Sequence, residues 1–171
     1  VVFVFISFQI SRLMQFKDSF SYKVFFLSFI FFSVITHSHV FLAGNDASRF
    51  AQIESLIDRG VSEIDESQYL WTRDKIIIGD HNYSNKPPLL GIIGAGVYWV
   101  LKQTTGVTFK KNEGIVVYLL TLIIVGGMTS FLVSQFYRSL SIYPNINPGI
   151  RNLVTFALLT GTLLTSFSTT F

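Results

Sequence analysis

Hydrophobic residues fall along this chain in long blocks, and one polar stretch of any length, 44–86, interrupts them. About 20 apolar residues on a helix match the thickness of a bilayer core, so four blocks are predicted to cross a membrane. The first covers 24–43, "VFFLSFIFFSVITHSHVFLA", and is softened in its second half by Thr36, His37, Ser38 and His39. The second covers 87–104 and opens on Pro87 and Pro88. The third, 115–137, contains no charge, and the fourth, 152–171, runs to the last residue. The apolar stretch 1–10 is too short to span and is expected to belong to a cytoplasmic segment, 1–23.

The interrupting stretch has a pattern of its own. In "NDASRFAQIESLIDRG", Asn45 or Asp46 can cap a helix and Gly60 can end it. Phe50, Ile53, Leu56 and Ile57 between them form one apolar stripe. Directly after a membrane span, such a helix is expected to lie along the membrane surface. Ser62 and Asp65 stand in capping-box spacing and predict a second short helix over "SEIDESQYLWT". "KIIIGDHNYSN" reads as extended chain and a turn. The predicted fold is all-α: a multi-pass membrane helical bundle of about four spans, with juxtamembrane helices in a long first external loop.

Charge orients this scheme. Segment 44–86 holds eight of the ten acidic residues and five basic ones. Arg12, Lys17 and Lys23 flank the first block, Lys102 stands at the end of the second, and Lys110 and Lys111 follow it. Positive-inside logic puts the N-terminus and loop 105–114 in the cytoplasm, and loops 44–86 and 138–151 outside a plasma membrane. Composition agrees, with half the residues hydrophobic and only 13% charged, against about 25% in soluble domains. The net charge of +3 gives no case for nucleic acid. With no cysteine, disulfides, thiolate metal sites and cysteine nucleophiles are excluded.

Little in the chain resembles the motifs of soluble enzymes. "GIIGAG" at 91–96 follows prolines and no strand, so Gly91, Gly94 and Ala95 read as small residues for close helix packing. His37, His39 and His81 lack metal-ligand spacing, and no metal or cofactor is expected. Asp46 at a helix start reads either as a dipole-stabilised cap or as a general base at the membrane surface. Lys86 reads either as a snorkelling lysine or as a point charge held rigidly before two prolines to grip a phosphate.

Together, Asp46-x-x-Arg49-Phe50-Ala51 after a first span and Tyr83-x-x-Lys86-Pro87-Pro88-Leu89 about forty residues on resemble a known pattern. It is that of polyprenyl-phosphate-sugar-dependent glycosyltransferases of the GT-C type, the aminoarabinose lipid A transferases and dolichyl-phosphate-mannose protein mannosyltransferases. The resemblance covers roughly 20–110. It implies that Asp46 is the catalytic aspartate, that Lys86 contacts the lipid-linked phosphate, and that Tyr83 and Arg49 complete the donor site. Where the family usually carries a glutamate after the aspartate, this chain has Ala47. The implied reaction is an inverting transfer of a sugar from a polyprenyl-phosphate donor to a hydroxyl of a lipid, glycan or protein, in contact with membrane lipids and without a cofactor. The chain begins at Val1 and stops inside an apolar block, and is expected to be an N-terminal part that is inactive alone. The alternatives are a non-catalytic multi-pass membrane protein and an inactive gene fragment.

Overall fold

The computed structural model describes residues 19–40, 44–143 and 145–161. The chain is mostly helical: α1 Ser19–Ile35, α2 Gly44–Glu54, α3 Pro88–Thr105, α4 Phe109–Leu120, α5 Gly127–Leu140 and α6 Pro148–Gly161. A π-helical turn, Ser55–Arg59, extends α2, and another, Thr121–Gly126, joins α4 to α5. Two strands, β1 Lys75–Ile78 and β2 His81–Ser84, form an antiparallel hairpin, so the expectation of an all-α fold is corrected there. Three β-branched isoleucines in a row favour extended chain. Gly79, at φ +62°, takes the first corner of the two-residue turn as a type II′ hairpin requires. The described residues divide into two units, 35–126 and 19–34 with 127–161.

The 35–126 unit is built around aromatic rings. Phe50 of α2, Tyr69 of the loop, Tyr98 of α3 and Phe109 of α4 are all buried to 1% exposure or less. The Phe109 ring centre lies 4.7 Å from that of Tyr98, 5.8 Å from Tyr69 and 5.9 Å from Phe50. Removing each such side chain from water is worth about 1.5–3 kcal/mol. The stripe of α2 therefore faces the protein's own core. This corrects the expectation that the helix beds its apolar face in the membrane surface. Gly60, at φ +73°, ends the helix as expected, its N–H bonding back to Ser55.

The second short helix expected over 62–72 does not form. The Asp65 carboxylate that was to serve a capping box instead accepts hydrogen bonds from the backbone and side-chain nitrogens of Asn82, at 2.8 and 2.7 Å. Ile64 N donates to Asn82 O at 2.8 Å, and Glu63 bridges Tyr83. The segment is thus spent on the outer edge of β2 and folds as a chain of turns.

Of the four expected spans, one is matched by a helix long and apolar enough to cross a membrane. Among the described residues this is Phe109–Leu140, with a mean hydropathy of 2.3 over its most apolar stretch, and it contains block 115–137. The block 24–43 does not continue as one helix, because α1 ends at Ile35, where Thr36, His37 and Ser38 replace the apolar run. Residues 162–171 of the last block lie outside the described residues, and α6 accounts for 14 residues before them.

Block 87–104 does form α3 at the expected position, with prolines at its start and Gly106, at φ +72°, at its end. Among the described residues it is not one of the helices long and apolar enough to cross a membrane. Gly91 lies against the side-chain amide of Gln52 of α2, and Gly94 and Ala95 are buried. At the other end Lys102 Nζ lies 2.7 Å from Asp58, and Tyr98 donates to the same carboxylate at 3.0 Å. The Tyr98 hydroxyl also accepts from Phe109 N. One end of α3 is therefore tied by an ion pair to the 44–86 segment, and the other packs against it.

Candidate functional site

The two halves of the sequence pattern meet at the N-terminal end of α2. Ser48 Oγ donates to the carbonyl of Asp74 at 2.5 Å and lies 2.8 Å from Ser84 Oγ at the end of β2. Thr72 Oγ1 donates to Gly44 O at 2.9 Å, and Asp74 N donates to Thr72 Oγ1 at 3.2 Å. Small hydroxyl side chains thus stitch the first turn of the helix to 72–74 and 84–86. These bonds explain why a hairpin some forty residues away ends beside α2.

Lys86 is the best defined of the expected site residues. Its ammonium lies 2.9 Å from Asp74 Oδ2, with 16% of the lysine side chain and 33% of the aspartate exposed. The Lys86 hydrogen bond holds the Asp74 carboxyl below its ordinary range, and the Asn85 side chain and the Arg49 charge act in the same direction. Arg49 therefore belongs to the same electrostatic cluster. Asp46 lies in the first turn of α2, 8% exposed, because the helix starts at Gly44 and makes it an internal first-turn residue. A carboxylate there is favoured by the helix dipole. Tyr83 is half-buried, paired with Ile76 across the hairpin and bridged by Glu63 on the other side.

Sequence reasoning missed Asp74. It is one of eight acidic residues in the stretch, and no spacing sets it apart until Ser48 and Lys86 are folded onto it. With Gly44, Trp71 and Arg73 it lines a polar cavity of about 400 Å³. Trp71 is half-exposed there, and an aromatic face beside charged groups suits a ring-shaped polar ligand.

A second cluster sits along β2. His81 Nδ1 lies 2.7 Å from Asp65 Oδ2 and 3.8 Å from Glu63 Oε2. These three groups have ligand-type atoms within 4.8 Å of one another. Their bonding already has a local purpose: one Asp65 oxygen receives both Asn82 donors, the other faces His81, and the hairpin is clamped to 63–65. The Asn82 bonds, with His81 after them, hold Asp65 down at about 2, and Asp65, with Glu63 after it, raises His81.

Comparison with family models, with curated proteins and with solved structures finds no match to this chain.

Proposed function

We propose that the chain is part of a membrane glycosyltransferase that takes its sugar from a polyprenyl-phosphate carrier. The observation that carries this reading is the junction of Arg49, Asp74 and Lys86 at the head of α2, where the two parts of the sequence pattern meet. The first turn of the same helix carries a buried carboxylate, Asp46. In the proposed reaction Asp46 deprotonates or orients the acceptor hydroxyl. Lys86 and Arg49 stabilise the phosphate charge that grows as the sugar–phosphate bond breaks. The acceptor oxygen gains the sugar carbon, and the polyprenyl phosphate leaves with the bonding pair. The finer membrane topology belongs to this reading too: Phe109–Leu140 crosses the membrane, further spans accompany it, and loop 44–86 faces outside.

The test is transfer of a radiolabelled sugar from a polyprenyl-phosphate donor by membranes that contain the protein with any continuation of its reading frame. Asp46→Asn is expected to abolish transfer while the protein still accumulates. Unchanged transfer in that variant rejects Asp46 as the base.

One observation favours a second reading, a non-catalytic membrane protein. Lys86 is already neutralised by Asp74, as a purely structural ion pair would be. Asp74→Asn separates the two. If Lys86 is a phosphate ligand, removing its competitor strengthens retention of polyprenyl phosphate. If the pair is structural, the variant loses thermal stability and retains no more of the lipid phosphate than the unaltered protein.

A further inference from the structure

The membrane-surface role expected of α2 is unfilled, since its apolar stripe is in the core. The exposed apolar side chains of the loop body are elsewhere. Ile76, Ile77 and Ile78 are consecutive on β1 and are 45%, 71% and 59% exposed. Side chains alternate along a strand, so Ile76 and Ile78 occupy one face of the ribbon and Ile77 the other. We propose that this strand beds in the headgroup–acyl boundary of the membrane and anchors the loop body to the lipid surface. The proposal rests on the reading of the chain as membrane-embedded.

Two observations select lipid over a protein partner. Charge is distributed unequally across the hairpin. On the β2 side Glu63, Asp65 and His81 form a charged cluster, and Asp80 stands at the tip. Beside β1 stand Arg73, exposed, and Lys75, whose ammonium donates to Leu70 O, while Asp74 between them is neutralised by Lys86. The β1 side thus presents apolar residues flanked by cations, the combination that binds anionic lipid surfaces. Trp71, half-exposed, lies in the same flank, and its amphipathic ring suits that depth. The outer edge of β1 is unpaired in the two-stranded sheet. Its backbone groups need water or headgroups, so the strand sits at the boundary and does not enter the hydrocarbon core.

The chain contains no cysteine, so single cysteines can report position cleanly. The full chain, carrying Ile77→Cys, Gln68→Cys or Leu132→Cys with an environment-sensitive fluorophore, is reconstituted into phosphatidylcholine–phosphatidylglycerol vesicles. Iodide probes water, and lipids spin-labelled near the headgroup or deep in the chain probe depth. Position 77 is expected to lose iodide quenching and to be quenched most by the shallow spin label. Position 68, polar and exposed in the same body, stays open to iodide, and position 132 on α5 responds to lipid labels. Full iodide quenching at 77 with lipid quenching at 132 overturns the anchor and leaves the membrane reading intact. Iodide quenching at both 77 and 132 defeats the membrane reading itself. Protection of 77 from iodide and from both lipid labels indicates a protein partner or a second copy, and also overturns the anchor.

Discussion

The two units of this chain fill their interiors differently. In the 35–126 unit four rings make the interior, with Phe50, Tyr69, Tyr98 and Phe109 packed together. In the unit of 19–34 and 127–161, Phe26, Leu27, Val34, Leu132, Leu153 and Phe156 point outward, while Ser21, Ser28, Thr129, Ser130, Ser134 and Thr155 are buried. The first arrangement is what water enforces. The second is what lipid allows, where the solvent is as apolar as leucine and helices associate through small and polar residues. Nearly equal hydrophobicity in sequence thus conceals two different ways of filling an interior.

The sharpest break of this comparison is in the first unit. Phe109 is the ring on which Phe50, Tyr69 and Tyr98 converge, so Phe109→Ala opens a cavity at the centre of the core. A cost of about 3–5 kcal/mol is expected, read by denaturant unfolding in detergent. A loss under 1 kcal/mol, by the same cavity argument, would show that the cluster does not support the unit.

The reverse test puts a charge on the outside of the second unit. Leu132 is exposed on α5, and an exposed leucine in water tolerates Asp freely. In a lipid-facing helix Leu132→Asp costs about 2.5–3.5 kcal/mol at the centre of the span, read as reduced membrane insertion. Wild-type insertion in that variant would mean that the inside-out pattern has some other cause. A smaller effect belongs to the bond that keeps α3 beside α2. Lys102→Met leaves the partly buried Asp58 to the Tyr98 hydroxyl and is expected to cost about 1.5–3 kcal/mol. Its readout is protection of α3 amides from exchange, and unchanged protection would release α3 from the loop body.

How much of this was legible depends on whether a signal is local. The stop at Gly60, the prolines opening α3 and the uncharged run inside Phe109–Leu140 are one-dimensional features, and each appears where its residues predict. Extended chain and a turn over 75–85 were legible for the same reason, since isoleucines and Gly79 carry the signal. Burial direction was not legible. The stripe of Phe50 and Ile53 is compatible with lipid or with a core, and the choice is made by Phe109, more than fifty residues away. Hydropathy likewise marked 87–104 as a span, because Asp58 cannot be seen approaching Lys102 in sequence. Of the candidate site, Asp46, Arg49, Tyr83 and Lys86 could be singled out by motif. Asp74 could not, because its meaning comes from the ion pair with Lys86.

The mildest test sharpens the first unit alone, through the clamp on β2. Asp65 is held at about 2, below its ordinary 3.8, by Asn82 and then by His81. A depressed carboxyl contributes stability that is fully present above its unfolded value and is lost as pH falls through the folded one. His81 is raised above 6.5, by Asp65 first, so its contribution is present below 6.5 and is lost as pH rises through the raised value. The two windows overlap between about pH 4 and 6.5, where protection of the hairpin amides, corrected for intrinsic exchange, should be greatest. Asp65→Asn removes the acid arm outright. It leaves His81 only Glu63, 3.8 Å away, so the alkaline arm shrinks as well. The expected result is a flatter pH profile with unaltered protection of the Phe50–Phe109 core. A variant profile that overlays the wild type would show that the hairpin is held by its β1–β2 ladder and not by this clamp.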